Sequence, residues 1–363
     1  MDVGIQMVFA SYGWTGLSDK QVWDEEIRLA QLADELGFNA LWSVEHHFND
    51  YSFVPDNFQL LTYLATLCPN ADLGTAAVIL PWNNPLRVAE KALVLDMLSG
   101  GRLRLGVGRG LARREFAAFG NSMEESRERF DESAAMIVDA MKTGWIEGAG
   151  KYYKQSRVEL RPRAAYDLSK RIWAVASSDD SLVSAARLNA HMVMFADRPW
   201  HLRLPAITRY RELCNEFHGA VPGPVLIADF TVCTNDDDAE DQARRYMGSF
   251  VQSNIEHYEL MGEHFTTIKG YNAYAEKSEI ARKTGVTGMI DGFMKAAIWG
   301  KPDRILRALE ERRETVGDFS MATSFRFGGI PFAVAESSMR LFAKEVLPVL
   351  QSWTAPVPAA IPA

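Results

Sequence analysis

Three clusters of residues in this sequence have the types and spacing that catalysis or anion binding requires. They are residues 45–47 (Glu-His-His), residues 106–110 (Gly-Val-Gly-Arg-Gly), and the pair Ser177 and Ser178 with Ser181 three positions later. Histidine titrates near neutral pH and acts as a general base or a metal ligand. Arginine, and serines at the start of a helix, are typical of phosphate binding. Together the clusters predict a catalytic site that binds an anion.

The adjacent histidines His46 and His47 allow three interpretations. Neighbours on a strand point to opposite faces, so a metal site that uses both is awkward, and no His-x-His or Glu/His helix motif accompanies them. They can instead be hydrogen-bonded residues at a strand end without chemistry. In the functional interpretation one histidine faces the site as a general base or orients a cofactor. We expect no metal here.

The other candidates are also open to simpler interpretations. Arg109 follows a glycine run that lacks the rest of a dinucleotide fingerprint, so it is either a phosphate ligand beside a flat ring or a surface arginine. Ser178 and Ser181 fit a helix N-terminus as anion ligands or as ordinary caps. Arg127 lies in a charge-rich helical stretch, and its pattern alone predicts a solvent-exposed residue.

Composition limits the class of protein. The formal net charge is −8 over 363 residues, which argues against nucleic-acid and anionic-membrane partners because both need a basic surface. Three widely spaced cysteines exclude a disulfide framework and fit a reducing cytoplasm. There is no signal-peptide pattern, and no run approaches the roughly 18 apolar residues of a membrane span. We expect a cytoplasmic protein.

Short apolar runs alternate with amphipathic helical stretches along the whole chain. This alternation predicts an α/β fold with eight strand–helix units, which is a single (β/α)8 TIM barrel. All three clusters then follow strand ends, where such barrels carry their chemistry. The predicted strands are residues 3–9, 39–44, 72–80, 102–107, 171–176, 191–195, 225–234 and 321–327.

Two stretches depart from this rhythm. Residues 262–319 separate the seventh helix from the eighth strand, too long a stretch for a simple connection, so we expect an insertion that includes an active-site lid. The Pro/Ala-rich residues 353–363 are expected to form a disordered tail. The predicted domain organisation is therefore a barrel over residues 1–352, with the lid within it.

Several separated motifs resemble the bacterial luciferase family of flavin-dependent monooxygenases, especially its α subunits. The resemblance needs no gaps between residues 45 and 127 and extends more loosely over nearly the whole chain. The motifs that carry it are 45–48 (EHHF), 74–81 (GTAAVILP), 95–102 (LDMLSGGR), 108–111 (GRGL), 119–120 (FG) and 126–127 (SR).

The resemblance implies an FMN site with a role for each candidate. His46 is the expected base near the flavin, and Arg109 and Arg127 are expected to grip the FMN phosphate. Ala76 and Ala77 correspond to a non-proline cis peptide beneath the flavin ring. Gly108 replaces a family cysteine, and Ser177 replaces a glutamate that contacts FMN through its backbone. The remaining cofactor-binding residues that we expect are Glu45, Leu111, Ser178 and Ser181.

The resemblance also implies a reaction. A separate NAD(P)H:flavin reductase would supply FMNH2, and O2 would react through a peroxyflavin to hydroxylate a substrate or insert oxygen beside a carbonyl. Alternatives are a deazaflavin-dependent dehydrogenase of the same superfamily and a non-catalytic flavin-binding partner subunit.

The same resemblance implies a dimer, with an identical or a related partner, that pairs through the helices near residues 57–67 and 85–98. We expect a hydrophobic or aromatic organic substrate, because aromatic residues are placed near the predicted mouth. These residues, each of which could equally belong to the core, are Phe9, Trp14, Phe48, Phe195, Phe325 and Phe327.

Overall fold

Eight short strands form a closed parallel barrel in the computed structural model, which describes residues 1–268 and 271–353 and omits the side chains of residues 272, 273 and 277. Each strand pairs with the next in sequence, and β8 returns to pair with β1, so the barrel has no free edge. The strands are β1 (Val3–Met7), β2 (Ala40–Ser43), β3 (Asp72–Thr75), β4 (Leu103–Gly108), β5 (Ile172–Val175), β6 (His191–Phe195), β7 (Val225–Cys233) and β8 (Phe319–Ser324).

Helices surround the barrel and cover the outer faces of the strands, which explains why the strand sequences are apolar runs without alternation. The predicted TIM-barrel fold is confirmed. The ten longer helices are α1 (Asp19–Glu35), α2 (Asn57–Leu67), α3 (Pro85–Leu98), α4 (Ser126–Thr143), α5 (Asp179–Arg187), α6 (Trp200–His218), α7 (Ala239–His257), α8 (Asn272–Ala296), α9 (Pro302–Val316) and α10 (Phe332–Glu345).

Local sequence signals set several helix boundaries. The Ser18 side chain accepts a hydrogen bond from the Gln21 amide, and Gln21 reciprocates, so α1 begins with a complete capping box. Asn84 caps α3, whose first residue is Pro85, the position where proline costs least. Gly144 ends α4 with φ of +77°, a conformation that residues with a side chain rarely adopt.

The predicted third and eighth strands extend furthest beyond their observed ends. Pairing in the third strand stops at Thr75 and resumes at Val78–Ile79, and the peptide bond between Ala76 and Ala77 is cis, as the resemblance implies. The eighth strand starts at Phe319 and ends at Ser324, so residues 325–327 belong to the following loop. An antiparallel hairpin of Trp145–Ala149 and Lys154–Glu159 lies between α4 and β5.

The long connection before β8 is mostly regular structure. It contains α8, the short strand Ile298–Gly300 that pairs with β7, and α9. α8 packs against α7 and is interrupted at Gly285, which has non-helical angles. Its movement as a lid remains a prediction. The expected tail falls almost wholly on residues 354–363, which lie outside the described residues.

None of the helices in the described part of the chain is both long and apolar enough to cross a membrane.

Candidate functional site

A cavity of about 540 Å³ lies where the strands end and the following loops begin. All eleven residues that the sequence analysis nominated line it, although they come from five separate chain segments. The structure therefore brings the nominated set together, while the contact of each residue with a cofactor remains a prediction. The eleven are Glu45, His46, Ala76, Ala77, Gly108, Arg109, Leu111, Arg127, Ser177, Ser178 and Ser181.

Arg109 and Arg127 form the cationic part of the cavity wall. The Arg109 guanidinium lies 3.8 Å from the centre of the Tyr271 ring. Arg127 donates to Ser184 Oγ at 3.2 Å, and its Nε is buried without a hydrogen-bond partner among the described residues. Burial, and then the nearby charge of Arg109, lower the pKa of Arg127 from its usual value. An anion between the two arginines would relieve both penalties.

The expectation that Arg127 is solvent-exposed is wrong, because its side chain is only 12% exposed. Helix α4 begins beside the cavity, and Arg127 in its first turn points inward toward α5. The charge-rich pattern around it is accounted for by residues such as Glu124, which face solvent. The hydrophobic periodicity of a helix does not reveal a single charged residue that is buried within an otherwise exposed face.

The three serines form the N-terminal cap of α5. Ser181 Oγ accepts hydrogen bonds from the amides of Ser177 and Ser178 at 2.9 and 2.8 Å, and it donates to the Ser178 carbonyl at 2.7 Å. The interpretation as ordinary capping residues is therefore correct, and it does not conflict with their position on the cavity wall. Asp179 and Asp180 also line the cavity. Their negative charges oppose an anion at this helix terminus, and the Ser181 hydroxyl hydrogen is already donated to a carbonyl, so the two arginines are the groups that would attract an anion.

We use the term arginine–serine cluster for Arg109, Arg127, Ser178 and Ser181. Next to it the cavity wall is formed by Gly108, which has no side chain, and by the small residues Ala76 and Ala77. A Cβ added to Gly108 would lie 3.2 Å from the Ala77 Cβ and 3.3 Å from the Ile79 side chain, closer than most such contacts. Glycine therefore keeps the wall beside the cis peptide low, which suits the approach of a flat ring.

His46 stands at the centre of a small polar network. Its Nδ1 lies 3.2 Å from Glu115 Oε1, and its Nε2 lies 3.3 Å from the hydroxyl oxygen of Tyr258. Glu115 Oε1 also accepts the His47 amide at 2.8 Å. The His46 side chain is 16% exposed and lines the cavity, whereas His47 does not line it. The paired histidines thus separate into one that faces the site and one that supports it.

Glu45 supports the loop that follows β3. Its carboxylate accepts hydrogen bonds from the Ile79 amide at 3.0 Å, the Trp82 indole at 2.7 Å and the Asn83 amide group at 3.1 Å. His47 Nε2 lies 3.4 Å from the same carboxylate. With these partners the Glu45 side chain fixes the segment that carries Ala76 and Ala77.

Four residues around His46 were missed by sequence reasoning: Glu115, His257, Tyr258 and Tyr51. Burial lowers the pKa of His257 to about 2, with smaller contributions from the charges of His46 and Arg114, so this imidazole is neutral. Tyr51 stacks on His257 with ring centroids 4.4 Å apart. No motif marks these residues, since they come from distant segments.

His46, Glu115 and His257 each offer one ligand atom, and these atoms lie within 4.8 Å of one another. Three such ligands with an open fourth position would suit a divalent zinc ion. Glu115 already accepts two hydrogen bonds, however, and these explain its burial without an ion. The structure thus makes a metal geometrically feasible without requiring one.

Aromatic side chains form another part of the wall, which we call the aromatic cluster: Tyr51, Phe230, Phe250 and Phe293. Ring centroids of Phe230 and Phe250 are 4.2 Å apart, and those of His46 and Tyr51 are 5.2 Å apart. The cluster therefore adjoins His46. Phe250 and Phe293 lie on α7 and α8, which places the long connection against the cavity.

The predicted placement of six aromatic residues near the mouth was mostly wrong, since Phe195 is the one of the six that lines this cavity. Phe9 and Phe325 are buried in the core, and Phe48 is 66% exposed. Trp14 and Phe327 line a separate cavity of about 350 Å³. Sequence proximity to a strand end does not determine which way a ring points, because a loop can turn it inward or outward.

Comparison with known proteins agrees with the fold. The sequence profile described as luciferase-like monooxygenase matches residues 1–318. The alkanal monooxygenase alpha chain of Photobacterium leiognathi is 26% identical over 353 residues, which cover 96% of this chain and 99% of that protein.

Solved structures share the architecture. The monooxygenase RslO1 of Streptomyces bottropensis has a TM-score of 0.78 at 27% identity, covering 96% of this chain and 100% of that one. The oxygenating constituent of 3,6-diketocamphane monooxygenase from Pseudomonas putida, solved with FMN, has a TM-score of 0.70 at 19% identity, covering 96% and 98% of the two chains. Enzymes that depend on coenzyme F420 also share the fold.

Proposed function

This chain belongs to the luciferase-like monooxygenase family, and from that premise we propose that it is the oxygenase component of a two-component system. It would use reduced FMN and O2 to oxygenate a hydrophobic or aromatic organic substrate. One observation carries the proposal: a single cavity joins the arginine–serine cluster, His46 and the aromatic cluster. These parts suit a phosphate, a proton transfer and an apolar substrate respectively.

The residues of the cavity fit FMN. The buried, unpartnered Nε of Arg127 suits a phosphate oxygen, and Arg109 supplies a second positive charge. The backbone at Gly108 and at the Ala76–Ala77 peptide offers a low wall for the ring. Leu111 and Ser177 complete the lining beside them. When bound, reduced FMN would supply the two electrons that activate O2.

The protein's own contribution is orientation, proton handling and exclusion of water. His46 is placed by Glu115 and Tyr258 to hold or move a proton at Nε2. The aromatic cluster and the apolar residues Val251, Leu260 and Met289 keep part of the cavity free of polar groups. Such apolar surroundings strengthen each hydrogen bond in the cavity and protect reactive species from side reactions with water.

A reductase partner follows from what the chain does not contain. The Gly-x-Gly-x-Gly run at residues 106–110 lacks the rest of the dinucleotide fingerprint, so we expect NAD(P)H to be oxidised by a separate protein that delivers FMNH2. The related Pseudomonas putida protein is itself described as an oxygenating constituent.

Self-association is part of the proposal. Apolar side chains are exposed on the two helices that the resemblance assigns to a dimer interface: Tyr63 on α2, and Val94, Met97 and Leu98 on α3. Contiguous exposed apolar surface on a protein is commonly an interaction site. We expect a dimer in light scattering at micromolar concentration, and a monomer would contradict this part of the proposal.

The first test is anaerobic titration with FMNH2, followed by rapid mixing with O2. We expect saturable binding and flavin absorbance changes that differ from those of free FMNH2. Failure to bind reduced FMN would refute the proposal. His46→Ala should bind FMN normally and turn over more slowly; unchanged turnover would remove His46 from the mechanism.

A second candidate function is a deazaflavin-dependent dehydrogenase, because F420-dependent enzymes share this fold. Substrate oxidation that continues without oxygen in the presence of F420 would favour it. A flavin-binding partner subunit without catalysis is the third. The combination of His46 with the complete arginine–serine cluster is an argument against it, because a subunit without chemistry has no use for a positioned base.

A further inference from the structure

Both ring nitrogens of His46 are already engaged by protein groups. Glu115 Oε1 lies 3.2 Å from Nδ1, and a carboxylate can only accept a hydrogen bond, which favours the tautomer with its hydrogen atom at Nδ1. Nε2 then has a free lone pair within 3.3 Å of the Tyr258 hydroxyl, whose other hydrogen-bond partner is the Tyr51 hydroxyl. Both distances are somewhat long, as is common before a substrate binds. A ligand in the cavity therefore meets the Tyr258 oxygen rather than a free ring nitrogen.

Three ring side chains that contact His46 are neutral near pH 7. The ring centroids of Tyr51 and His257 lie 5.2 and 5.1 Å from that of His46. Burial lowers the pKa of His257 and raises those of Tyr51 and Tyr258, so all three are neutral near pH 7. Arg114 acts on His257 from a greater distance, and Glu115 is the carboxylate in direct contact with the ring.

An ion pair holds together the two chain segments that carry Glu115 and Tyr258. Glu115 lies in the short helix Arg113–Ala118, and Tyr258 follows the last residue of α7. Arg113 donates to both carboxylate oxygens of Glu259, at 2.9 and 2.7 Å. This bidentate contact, which is partly exposed to solvent, links the residue two positions before Glu115 to the residue after Tyr258, and so joins the two segments on either side of the His46 ring.

We propose that Glu115, His46 and Tyr258 form a proton relay in which the Tyr258 hydroxyl exchanges the proton with the bound ligand. Tyr258 takes a proton from an acidic O–H or N–H group of the ligand while its own hydrogen passes to His46 Nε2. The ligand is left with a negative charge, and the positive imidazolium is stabilised by the Glu115 carboxylate. Glu115 is a positioning residue, since it acts only through His46. The catalytic role of the relay rests on the proposed function, but its arrangement does not.

The arrangement is tested first in the protein without flavin, by ¹⁵N NMR of the histidine rings. The spectrum of His46→Asn identifies the His46 signals. We expect His46 to be protonated at Nδ1 in the wild type and in Tyr258→Phe, and to shift toward the Nε2-protonated form in Glu115→Ala. Glu115→Asp should restore the Nδ1 form, and Glu124→Gln, a change at an exposed acid that does not line the cavity, should have no effect. A wild-type ring protonated at Nε2 would overturn the relay, even if Glu115→Ala does not fold.

The catalytic part is tested with reduced FMN and O2 as the probes. Tyr258→Phe should slow oxygen-dependent FMN oxidation by about 10²-fold, the usual contribution of a general acid or base, and should flatten its pH profile. Binding of reduced FMN should be unchanged. A normal rate and pH profile would remove Tyr258 from the relay while leaving the proposed function intact. Failure of the wild type to bind FMN would instead refute the proposed function and leave the NMR result standing.

Metal analysis separates the relay from the other use of the same residues. We expect the purified protein to contain no stoichiometric zinc. Zinc bound one to one, with His46 and His257 signals that change when it is removed, would overturn the relay, because a metal at Glu115 replaces the His46 hydrogen bond.

Discussion

Replacement of Arg127 by Gln should weaken FMN binding through the phosphate alone. In the free protein Arg127 is 12% exposed and pairs at 3.5 Å with Asp131, which is 47% exposed and therefore screened by water. Its Nε has no partner among the described residues, and Arg109 repels it. Most of its hydrogen-bonding capacity is thus available to a bound anion.

The expected size follows from the value of a hydrogen bond to a charged group, about 1.5–3 kcal/mol, which is about 10- to 150-fold in Kd. Riboflavin has the same ring and no phosphate, so its Kd should not change. The comparison of FMN with riboflavin in wild type and Arg127→Gln therefore isolates the phosphate contact. Flavin fluorescence quenching measures all four affinities, with anaerobic titration for the reduced forms.

Arg129→Gln is the matched control, since Arg129 lies on the same helix, pairs with Glu125 at 2.9 Å and does not line the cavity. It should leave both affinities unchanged. Thermal unfolding should show that Arg127→Gln is folded, because the change relieves a repulsion rather than removing a strong contact. An equal loss for riboflavin and FMN, or no loss for either, would refute the assignment of Arg127 to the phosphate.

Three further predictions concern stability and assembly. Glu45→Ala leaves partly buried donors at Ile79 and Trp82 without an acceptor and should lower the free energy of unfolding by about 3 kcal/mol; denaturant unfolding measures this, and an unchanged midpoint would show that Glu45 is not structural. His257 has a folded-state pKa of about 2, below its ordinary value of 6.5, so the unfolded chain binds a proton that the folded one does not. The protein should therefore lose about 1.4 kcal/mol per pH unit as pH falls below about 6, and His257→Leu should remove that part of the slope in denaturant titrations across this range. Leu98→Lys, at a side chain that is 62% exposed, should convert a dimer into a monomer in light scattering without changing flavin affinity; a dimer that persists would place the interface elsewhere.

The fold and the position of the site could be predicted because they depend on local patterns. Alternating strand and helix segments indicate the barrel, and capping residues such as Ser18 and Asn84 set helix ends. Parallel strands bring their C-terminal ends to one face, so residues that follow separate strands meet even when distant in sequence. That is why the nominated residues share one cavity.

The environment of His46 could not be predicted, because its partners come from other parts of the chain. Glu115 is 69 residues away, and Tyr258 is 212 residues away. Neither lies in a motif or at a strand end, and each resembles an ordinary helix residue. The inward orientation of Arg127 and of Phe250 depends likewise on how helices dock against the barrel, which hydrophobic periodicity does not specify.

The central claim is that this cavity binds reduced FMN and uses it with O2. The most direct test is anaerobic competition between reduced FMN and reduced F420 for the wild-type protein, followed by mixing with O2 while the flavin absorbance is recorded. We expect reduced FMN to bind more tightly than reduced F420, and flavin in the complex to be oxidised with a time course distinct from that of free FMNH2. Preferential binding of F420, or FMN oxidation that the protein does not alter, would contradict it.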